Sequence, residues 1–227
     1  RSSVRSRFEN RATASAVGSA PVTWQVAART NASGALPRFT STALLARAQG
    51  LPLCRALGSA PRSTPAYGGI GFDGPRESAA AAERWAKRGF RGVKAKIGYP
   101  SVEEDLAVIR AMREAVGPSV AIMVDYNQSL TVPEAHRRLE RLDEAGLEWV
   151  EEPTLAHDYA GHAAIAAAAR TPVQCGENWW GTRDLQHALD AGASDLMMPE
   201  VMKIGGVTGW MRAAALAAGS GIPVSNH

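Results

Sequence analysis

Two cysteines stand in 227 residues, Cys54 and Cys175, 121 positions apart and in unlike contexts. A disulfide framework needs a denser, paired set and a zinc site needs short Cys/His spacing, so neither applies and both thiols are read as reduced. No run approaches the ~20 consecutive apolar residues of a membrane-spanning helix. The compact apolar stretch of a secretory signal is missing as well, which makes a cytoplasmic location the expectation. Lysine is absent from residues 1–62 and acid nearly so: nine arginines face Glu9 alone, a net charge of +8. Residues 63–227 carry −5, so the overall +3 is the sum of two unlike parts. So mild a balance gives no footing for a nucleic-acid partner or a membrane surface, and neither is expected.

What is present is an ordinary globular composition, 45% hydrophobic and 21% charged. Residues 1–40 are rich in Ser, Ala, Thr, Arg and Gly; their one strand-like run is Val22–Ala27, and the segment reads as a poorly structured arm. Residues 41–65 read as a short helix, Ala43–Ala48, closed by Gly50 and followed by a polar linker. From residue 66 to 227 short apolar runs alternate with amphipathic stretches. The runs are Ala66–Gly71, Gly92–Ile97, Val120–Asp125, Leu147–Glu151, Val173–Gly176, Leu196–Met198 and Ile222–Asn226. Between them lie helix candidates such as Glu77–Arg88, Val102–Ala115, Val132–Ala145 and Gly209–Ala218, each with charge on one face.

Alternating βα units with continuous apolar strands mean a parallel sheet covered by helices. No glycine-rich phosphate loop follows the first strand, which favours an α/β fold of the (β/α)8 TIM-type barrel class over an open doubly wound sheet. Seven units against the eight of a closed barrel lead to the expectation of an incomplete barrel, its eighth strand missing.

Barrel enzymes place reactive groups at the C-terminal ends of the strands. Here those ends read Lys94-Ala-Lys96, Asp125-Tyr-Asn127, Glu151-Glu152, Gly176-Glu177-Asn178, Glu200 and His227. From Lys94 the successive spacings are 31, 26, 26, 23 and 27 residues, an ionisable group at one phase of every repeat. Packing alone does not demand that. Asp125, Glu151 and Glu177 on neighbouring strands would converge three carboxylates, whose repulsion is tolerable around a bound cation. All-oxygen ligation favours Mg²⁺. Glu152 points to the other side of its strand by pleat alternation and falls outside that set.

Lys94 and Lys96, two residues apart, project together into the mouth, where each should depress the other's pKa and free a general base. His227 would face Lys96 across the barrel, and Glu200 is spaced to bond the imidazole and fix its tautomer. Two bases facing one carbon beside a divalent cation suit removal of a proton α to a carboxylate and its return from the opposite side. Racemisation is the simplest net outcome.

From about Leu45 to His227 the sequence resembles the mandelate racemase group of the enolase superfamily, in which a Lys or His base works beside Mg²⁺. The likeness is carried by VKAKIGYP from Val93, MVDYNQSL from Met123, VEEPTLAHDY from Val150, GENW from Gly176, MKIGGVTGW from Met202 and IPVSNH from Ile222. The resemblance implies Asp125, Glu151 and Glu177 as Mg²⁺ ligands and Lys96 and His227 as bases for the two enantiomers. It sets Lys94 against the substrate carboxylate, Asn127 near an α-hydroxyl and Lys203 at the rim. It implies a small-molecule α-hydroxy acid substrate and an enediolate intermediate; an acid-sugar dehydratase is the neighbouring alternative and an inactive remnant the contrasting one. A homo-oligomer is left open. Glu200 stands where the family has an aspartate, and no capping domain is recognisable before the barrel.

Overall fold

The computed structural model describes residues 42–227; the arm expected at residues 1–40, with its run Val22–Ala27, lies outside them. Two short helices come first, α1 (Thr42–Ala48) and α2 (Leu53–Ala56). Six strands then follow: β1 (Gly68–Ile70), β2 (Gly92–Lys96), β3 (Ala121–Asp125), β4 (Val150–Glu151), β5 (Val173–Cys175) and β6 (Leu196–Met197). They form one sheet in chain order, every neighbouring pair parallel. The seventh expected run survives as a parallel bridge from Met197 to Val224. Helices α3 (Gly74–Lys87), α4 (Val102–Val116), α5 (Val132–Leu142), α6 (Tyr159–Ala168), α7 (Gly181–Ala191) and α8 (Gly206–Gly219) alternate with the strands. The architecture is the α/β, TIM-barrel type that the rhythm implied.

Local chemistry explains where the helices start. Ser101 and Glu104 form a capping box, each side chain taking the other's backbone N–H, and Thr131 and Asp158 cap α5 and α6 through their side-chain oxygens. At its far end α7 is closed by Gly192 in the left-handed conformation. The strands' alternate residues make the core. Val93, Ala95, Ile122, Val124, Val150 and Val173 have no more than trace exposure and pack with Val108, Met112, Leu139, Ile165 and Leu185 of the helices. Each of the buried Val, Ile, Leu and Met side chains among them stabilises the fold by about 1.5–3 kcal/mol relative to exposure. Helix α3 lies so close to β1 that a Cβ on Gly68 would sit 2.1 Å from the Trp85 ring, while the Trp85 indole donates to the Gly69 carbonyl at 2.9 Å.

Not every helix charge lies on a solvent face, as the amphipathic reading has it. Asp105 of α4 is fully buried and Arg138 of α5 is 7% exposed. Asp105 accepts from the N–H groups of Gly98 and Tyr99 (both 2.9 Å), from the Tyr126 hydroxyl (2.8 Å) and from Arg138 (2.7 Å). Arg138 also holds the carbonyls of Tyr99 and Pro100. This knot braces the loop after β2 and the residue after β3, the two places from which Lys96 and Asp125 emerge. Among the described residues no helix is long and apolar enough to cross a membrane.

Candidate active site

Register brings the strand ends together. Lys96 pairs with Asp125 and Asp125 with Glu151, so the three lie level on one side of the sheet. Lys94 Nζ sits 2.6 Å from both Glu151 oxygens and 3.7 Å from Asp125 Oδ2, and Lys96 Nζ lies 3.5 Å from that same oxygen. Beyond β3 the chain turns sharply through Asn127 and Gln128, with φ of 47° and 67°. Asp125 Oδ1 accepts from the Asn127 N–H at 2.7 Å, and the Asn127 amide donates to Glu177 Oε1 at 3.2 Å. Glu177 owes its place to Gly176, whose φ is 142° and where a Cβ would meet the Met198 backbone at 2.8 Å. Only glycine passes there, and it delivers Glu177 over the row of acids.

Asp125, Glu151 and Glu177 are 1%, 0% and 8% exposed, and one oxygen of each lies within 4.8 Å of the others. Three hard oxygen donors, convergent, buried and without Cys or His among them, fit Mg²⁺ by donor chemistry. The electrostatics agree. Burial and the neighbouring Asp125 and Glu177 charges raise the Glu151 pKa, although Lys94 opposes them. A carboxylate held so far from water is stabilised in its charged form by a divalent cation.

The expected depression of the Lys94 pKa is not what the structure gives. Burial does lower the Lys94 pKa, but Glu151, Tyr67 and Asp125 outweigh it and the net shift is upward. Lys94 has a carboxylate nearer to hand than the sequence spacing could reveal, so attraction overrides the neighbouring ammonium.

The partnership of Glu200 and His227 is also corrected. Strand β6 stops at Met197 and the chain is already turning at Glu200, whose Oε2 accepts from the N–H groups of Met202 (2.7 Å) and Lys203 (2.8 Å). Its carboxylate therefore caps a turn. His227 Nε2 instead lies 2.7 Å from Glu177 Oε2. The contact with His227 lowers the Glu177 pKa to about 2, and Glu177 raises that of His227.

Lys203 reaches the site indirectly, its Nζ donating to the side-chain amide oxygen Oδ1 of Asn178 at 2.7 Å. Two further residues belong here that spacing did not single out. Asn178 donates from Nδ2 to Glu177 Oε1 at 3.0 Å and to Glu152 Oε2 at 2.7 Å. Glu152 is fully buried with φ of 38°, a left-handed conformation that turns its side chain back toward the acids. Pleat alternation assumes that the strand continues; β4 ends at Glu151, so it fails one residue later. The doubled acid was the visible signal.

Residues 77–227 match the family model described as enolase C-terminal domain-like. The chain is 35% identical over 178 residues to 3,6-anhydro-alpha-L-galactonate cycloisomerase of Streptomyces coelicolor, covering 78% of this chain and 49% of that protein. It is 32% identical over 188 residues to L-talarate/galactarate dehydratase of Salmonella typhimurium, with 80% and 46% covered. A solved enolase from Bradyrhizobium, complexed with magnesium and mandelic acid, superposes with a TM-score of 0.78 at 40% identity over 81% of this chain and 51% of its own. The chain spans about half the length of the curated relatives it matches.

Proposed function

The chain belongs to the enolase C-terminal domain-like family, and on that premise we propose that it is a Mg²⁺-dependent enzyme that removes the α-proton of an α-hydroxy carboxylate such as mandelate and returns it from the other face, a racemase. One observation carries the reading: the row of three carboxylates is bounded by a candidate base at each end, Lys96 against Asp125 and His227 against Glu177. Asp125, Glu151 and Glu177 would hold the cation. When bound, Mg²⁺ supplies the fixed positive charge that makes a carbon acid next to a carboxylate accessible to a weak base.

The protein's own residues do the rest. Lys96 takes the proton of one enantiomer and His227 that of the other; the conjugate acid across the plane returns a proton to the opposite face. Lys94, pinned between Glu151 and Asp125, adds positive charge for the substrate carboxylate. The Asn127 amide, which donates to Glu177 Oε1, would also serve the α-hydroxyl, and Glu200 and Lys203 would shape the rim beside them.

In D₂O with Mg²⁺ and mandelate, the chain should exchange the α-proton of both enantiomers. Lys96→Gln should abolish exchange from one enantiomer and His227→Asn from the other, each by on the order of 10²-fold or more. Exchange by the unmodified chain no faster than in buffer defeats the proposal. The likeness to L-talarate/galactarate dehydratase supports a second reading, in which the same abstraction is followed by loss of a β-hydroxyl. Keto-acid formation from acid sugars, without exchange of mandelate, would select it.

A further inference from the structure

Glu152 is a carboxylate that neither the metal set nor the two bases use. It is fully buried, Oε2 has one partner, the Asn178 amide at 2.7 Å, and Oε1 is enclosed with no hydrogen-bond partner among the described residues. Its backbone is held on both sides, by its N–H to the Gln174 carbonyl (3.0 Å) and by its carbonyl to the Gln128 N–H (2.8 Å). That backbone is left-handed, a conformation costly for any residue but glycine. Burying a carboxylate with so few partners is costly too, and an apolar side chain would fill the space more cheaply.

The orientation of Asn178 follows from chemistry. The Lys203 ammonium is only a donor, so the amide atom 2.7 Å from it must be the oxygen. The NH₂ group is thereby turned toward the acids, where it serves Glu152 Oε2 and Glu177 Oε1 at once. An amide clamped at both ends cannot rotate, and Glu177 inherits its direction.

We propose that Glu152 is a positioning residue: by anchoring the Asn178 amide, which Lys203 holds from its other side, it aims the Glu177 carboxylate at the cation site. The inference rests on the Mg²⁺ reading above and concerns how the third ligand is held. Asn127, the other donor to Glu177 Oε1, approaches at a longer 3.2 Å and lies on a separate turn.

The test is Mg²⁺ affinity by titration calorimetry on the full 227-residue chain, for the unmodified protein, Glu152→Ala, Asn178→Ala and the double variant. Losing an outer partner of a metal ligand weakens binding by roughly 10–100-fold. Each single variant should show such a loss. The double variant should bind no more weakly than either single one, because both act through one link. Glu152→Leu keeps roughly the volume but offers no acceptor to the Asn178 amide and should also bind more weakly; it replaces the alanine variant if that one fails to unfold cooperatively. Unaltered affinity in the Glu152 variants, or losses that multiply in the double variant, overturns the inference alone. No Mg²⁺ uptake by the unmodified chain overturns the metal reading with it.

Discussion

His162 is fully buried on α6, its Nδ1 3.3 Å from the Cys175 thiol. Burial lowers its pKa despite the nearby Thr154 and Leu155 backbone and the Asp158 charge. In the unfolded chain the same imidazole protonates near its ordinary value of ~6.5. Below that pH the unfolded state binds the extra proton, so stability falls with acid, at a limiting slope of about 1.4 kcal/mol per pH unit for one proton. Urea unfolding at pH 7.5 and 5.5 should show a smaller acid loss for His162→Gln than for the unmodified chain; equal losses would count against the assignment. Glu200 teaches a different lesson at this scale. Its phase along the repeat was legible, but its partner was not, because a carboxylate at the start of a turn finds free N–H groups two and three residues on. Glu200→Ala should therefore cost about 1 kcal/mol, the usual worth of such a cap, measured by denaturant midpoint.

At the scale of elements, the strands and helices were readable because their apolar periods are strong, and the gathering of Lys94, Lys96, Asp125, Glu151 and Glu177 at one end of the sheet was readable because they close those periods. The hidden parts are long-range polar contacts. Asp105 and Arg138 are 33 residues apart and read as ordinary helix-surface charges, yet they meet at 2.7 Å inside the protein. Glu152 was hidden for a related reason, since its direction depends on a backbone turn that pleat counting does not contain. Removing one member of a buried, hydrogen-bonded ion pair leaves the other uncompensated, at a cost of roughly 3–5 kcal/mol. Arg138→Ala should lose stability of that size in urea unfolding, whereas Arg137→Ala, at an exposed pair with Glu134, should lose well under 1 kcal/mol.

For the molecule as a whole, the cation site gathers residues from three strands, so a bound cation ties together segments far apart in sequence. Binding that favours only the folded chain adds about 2.7 kcal/mol at a hundredfold excess over Kd. Thermal unfolding should move upward with Mg²⁺ and return on chelation, and Asp125→Ala should abolish the response. The net −5 of residues 63–227 is then not an average property of the barrel, because buried acids at the mouth are part of it. The parallel order of the strands has an electrostatic consequence. Six helices, α3 to α8, each begin just after a strand ends, so their N-termini gather on the same side as the carboxylates. Every helix start carries roughly half a positive charge from its aligned peptide dipoles. A row of such partial charges therefore lies on the acids' side of the sheet, of opposite sign to them and fixed in the backbone rather than in any side chain.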